Sequence, residues 1–178
     1  MNKAIFFDRD GTITVDTGYP HKVKDLKFQE NAIPGLKLIQ NSGYKLIIVT
    51  NQSGIGRGYY TEQDYHAFME ELYFRLKKER INFDGEYFCP HISEDNCNCR
   101  KPNIGMLEKA VLDHDIDLQE SWVIGDKTSD IELGRRAGCK TILVRTGNMG
   151  RDGNFNTMPN HISDNLLNAN LHILSQNV

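Results

Sequence analysis

Short apolar blocks alternate along the chain with longer stretches in which apolar residues recur every three or four positions. Ala4-Ile5-Phe6-Phe7 is too short for a helix and is closed by polar residues and Gly11, so it predicts a buried strand. Tyr44 to Thr50, Glu86 to Cys89, Trp122 to Gly125 and Thr141 to Val144 read the same way, and Leu26 to Phe28 predicts a further short strand. A helix is predicted over Pro34 to Ser42, with Pro34 in its first turn and Gly43 as its stop. The Thr61 to Asp64 spacing predicts a capping box, with Asp in place of the usual Glu. Beyond it Tyr65, Phe68, Met69, Leu72, Tyr73 and Leu76 form a core-facing helical stripe, with Lys77 to Arg80 as its solvated end. Further helices are predicted over Gly105 to His114, Ser129 to Ala137 and Leu166 to Leu174.

Strands alternating with helices predict an α/β fold: a doubly wound, mostly parallel, Rossmann-like sheet of five or more strands. Ligands in such sheets bind beyond the carboxyl ends of the strands. No repeat or linker interrupts the 178 residues, so one domain over 1–178 is expected. A net charge of -3 gives no basic footprint for nucleic acid. No apolar run reaches the length of a membrane span, and Met1-Asn2-Lys3 leaves no room for a leader before the first strand. The expectation is a cytoplasmic monomer with reduced cysteines and neither nucleic-acid nor membrane partners.

The first strand delivers Asp8 and Asp10, two residues apart and therefore on one side of an extended chain. Two such charges repel by about 4 kcal/mol at 4 Å and an effective dielectric of 20, so the pair implies a use, usually a divalent cation. A calcium loop begins with the same Asp-x-Asp-Gly, but its fifth and twelfth positions would be Thr12 and Tyr19, neither an acid. Thr50 and Asn51 follow the second long strand. Arg100 and Lys101 follow the third, after a Cys/His loop. Asp126 and Lys127, with Asp130 three residues on, follow the fourth. Each alone is ordinary at a strand end. Together they give the donors and cations a phosphoryl group needs and the carboxylates a metal needs. No Gly-x4-Gly-Lys-Ser/Thr run is present, so a P-loop is excluded.

Cys89, His91, Cys97 and Cys99 fall within eleven residues. Three thiolates and an imidazole suit a closed, tetrahedral, structural zinc site. Disulfides would leave one cysteine over. The zinc loop, 89–99, precedes Arg100 and Lys101 directly and would hold those cations in place. Cys139 reads as a core residue. The other five histidines have no ligand-like spacing, and nothing is assigned to the loop 147–160.

The four strand-end motifs, in this order, resemble those of the haloacid dehalogenase (HAD) superfamily. Asp8-Arg9-Asp10-Gly11-Thr12, Thr-Asn-Gln-Ser-Gly-Ile-x-Arg-Gly at 50–58, the Cys/His loop with Arg100-Lys101-Pro102, and Gly-Asp-Lys-x-x-Asp at 125–130 carry the resemblance. They narrow it to a zinc-loop branch that includes heptose bisphosphate and histidinol-phosphate phosphatases. Asp16, Gly18 and Tyr19 match the heptose enzymes, as does Arg57. The short span from His91 to Cys97 is shared with the histidinol phosphatases. The resemblance implies a HAD-like fold without a large cap domain. It implies a magnesium-dependent phosphatase acting on the 7-phosphate of a heptose 1,7-bisphosphate through an aspartyl-phosphate. Histidinol phosphate is the alternative substrate, and a non-catalytic phosphosugar-binding module a more distant one. Asp8 is then the nucleophile and Asp10 the general acid and base. The Asp8 carboxylate, the Asp10 carbonyl and Asp126 hold magnesium. Thr50 and Lys101 take the transferred phosphoryl group. Asn51, Arg57, Arg100, Asp16 and Tyr19 face the sugar phosphate, and Lys127 and Asp130 support the metal site from behind.

Overall fold

Ala4–Phe7 forms the first strand, β1, and all four of its side chains are buried. Neighbouring strands cover both of its edges. In the computed structural model, which describes residues 1–176, β2 (Lys45–Asn51), β3 (Gly85–Cys89), β4 (Trp122–Gly125), β5 (Lys140–Val144) and β6 (His161–Ser163) join it. They form one sheet in the order β3-β2-β1-β4-β5-β6. Every pairing is parallel, and Phe7 stands opposite Ile48 of β2 and Ile124 of β4.

Successive strand residues point to opposite faces, and each face is covered by helices. Ile5, Phe7, Leu46 and Ile48 pack with α1 (Ala32–Ile39), α3 (Glu62–Lys78) and α6 (Leu166–Ser175). Ala4, Phe6, Ile47 and Val49 pack on the other side with α4 (Gly105–His114), while Val123 meets Leu133 of α5 (Thr128–Ala137) there. The sheet is therefore doubly wound. The chain moves outward from β1 to β3, then returns across β1 to β4 and runs to β6. The reversal lies between β1 and β4, where such sheets open a crevice at the carboxyl ends of the strands.

Most elements lie where the periodicity predicts, and the capping box at Thr61 is present: its hydroxyl accepts the Asp64 N–H at 3.1 Å, and the Asp64 carboxylate accepts the Thr61 N–H at 2.8 Å. An N-cap of this kind is worth about 0.5–2 kcal/mol. Two local expectations need correction. α1 starts two residues before Pro34 and stops at Ile39, because the Ser42 amide and hydroxyl both turn back to the Ile39 carbonyl. Leu26 to Phe28 is not a strand. It makes one antiparallel bridge, Thr14 to Phe28, supported by Val15 N–H to Lys27 and Gln29 N–H to Ile13. The glycine-rich stretch after β2 contains one helical turn, α2 (Ser53–Gly56). β6 has no counterpart among the predicted strands: three residues, His-Ile-Ser, carry no alternation long enough to see, and β5 holds them in register.

Candidate active site

The turn after β1 is wound around one carbonyl. The Ile13 and Thr14 amides donate to Arg9 O at 2.9 Å, with the Thr12 amide at 3.4 Å, so the neighbouring Asp10 carbonyl receives none of them. Gly11 takes φ +89°, and a Cβ there would lie 2.2 Å from the Asp126 carboxylate, so only glycine lets the two loops approach. Gly147 closes the same space from the other side, where a Cβ would lie 2.3 Å from Asp126 Oδ2.

Asp8, Asp126 and Asp130 are all buried, and each places a carboxylate oxygen within 4.8 Å of those of the others. Lys101 reaches into this group from the far side. Its Nζ donates to Asp8 Oδ1 at 2.7 Å, to Asp130 Oδ1 at 2.6 Å and to the Val49 carbonyl at 3.1 Å. Burial opposes the lysine charge, but the Asp130 and Asp8 carboxylates outweigh it and raise the Lys101 pKa. Burial raises Asp8, with Lys101 acting against it. Burial, reinforced by Asp8 and Asp130, pushes Asp126 up to about 8. Asn51 fixes the lysine backbone at both ends: its Oδ1 accepts Lys101 N–H at 3.0 Å and its Nδ2 donates to Lys101 O at 3.3 Å. Asp130 Oδ2 accepts the Lys127 amide at 3.1 Å. Asp130 therefore engages both lysines, one through its ammonium and the other through its backbone.

The residues fit a magnesium ion. It is a hard cation that takes oxygen ligands. Asp126 Oδ1 is buried with no hydrogen-bond partner, while Oδ2 is engaged by the Asn148 N–H at 2.6 Å. An unpartnered buried carboxylate oxygen beside a second carboxylate costs free energy unless a cation joins it. The cost has a pH signature. A carboxyl held above its ordinary value destabilises the fold once it ionises, so the metal-free protein loses stability as pH rises from about 4 toward 8. Asp126→Asn is accordingly expected to raise the metal-free Tm by about 2–4 °C per kcal/mol relieved, more at pH 8 than at pH 5, while activity collapses. Thermal scans without magnesium at the two pH values check this; a lowered Tm at pH 8 contradicts it.

Asp10 points away from this cluster. Arg9 grips it bidentately, Nε to Oδ1 at 2.8 Å and Nη2 to Oδ2 at 2.7 Å. Thr14 Oγ1 donates to Oδ1 at 3.1 Å and Gln52 Nε2 to Oδ2 at 3.0 Å. Thr50 is buried at the end of β2, its hydroxyl accepting a second bond from Gln52 Nε2 at 2.8 Å.

Cys89, His91, Cys97 and Cys99 converge at the end of β3. The Cys89–Cys99, Cys97–Cys99 and Cys89–Cys97 sulfur separations are 3.1, 3.5 and 3.6 Å, and His91 Nδ1 lies 3.2 Å from Cys99 Sγ. A tetrahedron of zinc–ligand bonds has edges of about 3.6–3.8 Å, so the four groups need only a small expansion to hold zinc. All four cysteines of the chain are free thiols. Burial raises the Cys97 thiol, but hydrogen bonds from the Arg100 amide and from its two sulfur neighbours outweigh this and bring it down to about 7.

A cleft of about 740 Å³ runs outward from Asp8. Asp10, Thr50, Asn51, Arg100 and Lys101 line it, as do Asp16, Tyr19 and Lys127. Lys127 Nζ meets Asp16 Oδ2 at 3.3 Å. The structure does not bring Arg57 there: it stands exposed after α2, outside the lining residues. The loop 147–160 supplies Asp152, Asn154 and Phe155 to the far wall. It is anchored by Asp152, which accepts the Thr128 N–H at 2.8 Å and its hydroxyl at 2.6 Å. Sequence reasoning also passed over Arg9, Gln52 and Tyr60. The available signal was an arginine between the two acids at a strand end that faces the Tyr65 and Phe68 stripe.

A HAD-hydrolase-like family model matches residues 98–169. A D-glycero-beta-D-manno-heptose-1,7-bisphosphate 7-phosphatase of Haemophilus influenzae is 44% identical over 154 residues, covering 83% of this chain and 84% of that protein. A D-glycero-alpha-D-manno-heptose-1,7-bisphosphate 7-phosphatase of Photorhabdus laumondii is 42% identical over 154 residues, covering 82% and 84%. The crystal structure of a D,D-heptose 1,7-bisphosphate phosphatase from B. bronchiseptica, complexed with magnesium and phosphate, superposes with a TM-score of 0.90 at 25% identity, over 98% of this chain and 99% of that one.

Proposed function

Because this chain belongs to the D-glycero-D-manno-heptose 1,7-bisphosphate 7-phosphatase family of HAD-like hydrolases, we propose that it removes the 7-phosphate from a heptose 1,7-bisphosphate through an aspartyl-phosphate on Asp8. The observation that carries the reading is Lys101, its ammonium 2.7 Å from the Asp8 carboxylate and buried with it at the head of the cleft. A phosphoryl oxygen entering there meets a fixed cation beside the attacking oxygen.

In the first step an Asp8 oxygen attacks phosphorus in line, the bond from phosphorus to the sugar oxygen breaks, and the Asp10 carboxylic acid gives its proton to that oxygen. In the second step the Asp10 carboxylate takes a proton from water, the resulting hydroxide attacks phosphorus, and the Asp8 carboxylate leaves as orthophosphate forms. Thr50 and Lys101 donate to the phosphoryl oxygens throughout. The Asp8 carboxylate, the Asp10 carbonyl and Asp126 would hold magnesium, which would supply the positive charge that lets an anionic carboxylate approach an anionic phosphate. Cys89, His91, Cys97 and Cys99 would hold zinc, and the loop so closed would fasten the segment that carries Arg100 and Lys101. Arg100, which also lines the cleft, suits the second phosphate of the substrate. Three thiolate ligands call for a reducing compartment, so the reading places the enzyme in the cytoplasm. Among the described residues no helix is long and apolar enough to cross a membrane.

Phosphate release with magnesium, measured on both anomers of heptose 1,7-bisphosphate and on histidinol phosphate at equal concentration, tests the substrate. At least about a tenfold preference for a bisphosphate is expected, equivalent to about 1.4 kcal/mol of discrimination. A preference for histidinol phosphate, whose amine and imidazole have no use for Arg100, overturns the substrate and leaves the chemistry standing.

A further inference from the structure

Arg9 is a charged side chain with no exposure to solvent, and it touches neither the cleft nor the carboxylate cluster around Asp8. Its guanidinium lies against the Phe68 ring, 4.5 Å from the centroid, with Tyr65 at 5.6 Å. Nη2 also donates to the Pro20 carbonyl at 2.9 Å, and Nη1 lies 3.7 Å from the Met69 sulfur. Burying a guanidinium is costly unless its hydrogen bonds are met, and here the fork is spent on one carboxylate, that of Asp10.

Gln52 completes the arrangement, and its amide has a single orientation. Oε1 accepts the Tyr60 hydroxyl at 2.6 Å and Arg9 Nη2 at 3.2 Å. A guanidinium only donates, so the NH2 group cannot occupy that position. Burial pushes the Tyr60 phenol up to about 12, which keeps it a donor as well. Gln52 Nε2 is therefore turned to Asp10 Oδ2 at 3.0 Å and Thr50 Oγ1 at 2.8 Å. One buried amide thus joins a side chain that handles the proton to one that handles the phosphate. His21 stacks on Tyr60, with ring centroids 4.6 Å apart and planes 5° from parallel.

We infer that Gln52 and Arg9 are positioning residues for Asp10: with Thr14 they hold its ionised carboxylate in register with Thr50, placed for the step in which it takes a proton from the attacking water. The inference rests on the reading of Asp10 as acid and base. Arg9 stands outside the cleft lining and Gln52 is part of it; both are assigned their effect through Asp10.

The test is a double-mutant cycle on heptose 1,7-bisphosphate hydrolysis with Gln52→Leu, Asp10→Asn and the two combined, in the magnesium- and zinc-loaded enzyme. Asp10→Asn alone is expected to lower kcat by about 10²–10⁴-fold, the usual contribution of a positioned acid–base group. Gln52→Leu is expected to lower kcat about 10- to 100-fold with KM within about twofold, and to have almost no further effect in the Asp10→Asn enzyme. Arg9→Lys keeps the charge and loses the fork, and is expected to behave in the same way. It also serves if Gln52→Leu does not fold, as judged by its Tm. An equal loss from Gln52→Leu in both backgrounds places its action on Thr50 or on the fold and overturns the inference. A rise in KM without a fall in kcat overturns it too. An Asp10→Asn enzyme with undiminished kcat instead removes the acid–base reading itself, which separates the two failures.

Discussion

Asp8→Asn is expected to end turnover, with kcat falling by about 10⁴-fold or more, as removal of a nucleophile does in enzymes with covalent intermediates. The substitution is nearly isosteric and removes one charge from a buried group of three carboxylates. Lys101 keeps Asp130 at 2.6 Å and the Val49 carbonyl at 3.1 Å, so it is not orphaned. Burial already raises the Asp8 pKa, so its ionised form is held in the fold at a cost that asparagine does not carry. Stability should therefore hold or rise while activity disappears. Calorimetric titration with heptose 1,7-bisphosphate should still show binding, and rapid quench with labelled substrate should show no phosphoprotein. Retained turnover would mean that another residue is the nucleophile. Loss of binding together with turnover would point to a wider collapse of the site.

The second large effect is expected from Cys97→Ala. Structural zinc sites contribute apparent free energies of about 10–16 kcal/mol at neutral pH, so losing one of four ligands is severe. Cys97 also accepts the Arg100 amide at 3.4 Å, and its carbonyl accepts Asn103 Nδ2 at 2.7 Å, which ties the metal loop to the segment around Lys101. The stretch 93–100 has no fully buried residue of its own to take over that task. The variant should contain no zinc, be cut by protease within 89–103, and lose at least about 100-fold in kcat/KM, the upper range for disturbing a metal's supporting shell. A strong chelator should do the same to the unmodified protein, with recovery on adding zinc back. Full activity in a zinc-free variant would show that the sheet and Asn51 alone position Lys101.

The strand ends were legible because parallel sheets bury their strands on both faces. Four apolar residues followed by Asp8, or Trp122-Val123-Ile124-Gly125 followed by Asp126, leave little else for the chain to do. The Cys/His cluster was legible because ligand spacing is local. What periodicity cannot show is the direction of a side chain within a turn. Arg57 and Gln52 lie five residues apart in one motif, yet the helical turn of α2 sends Arg57 to solvent, while Gln52 stays buried against Tyr60. Arg9 was hidden for a related reason: alternation would send it away from Asp8 and Asp10, but the turn folds it back onto Asp10, and its other partners, Pro20, Gln52, Phe68 and Met69, are scattered from 11 to 60 positions on. The loop 147–160 carries no pattern at all. Its place over the cleft depends on Asp152 finding Thr128, a contact between side chains 24 positions apart.

The sheet order has a consequence for how the enzyme is made. β1 lies in the middle of the sheet, so its two neighbours come from distant parts of the chain, and the last wall residues, Asp152 to Phe155, come later still. A chain emerging amino end first carries Asp8 long before the residues that surround it, and non-local pairing of this kind closes late. No partly synthesised chain can assemble the site. Phosphatase activity during refolding therefore reports the final docking of the two halves of the sheet, not the earlier formation of helices.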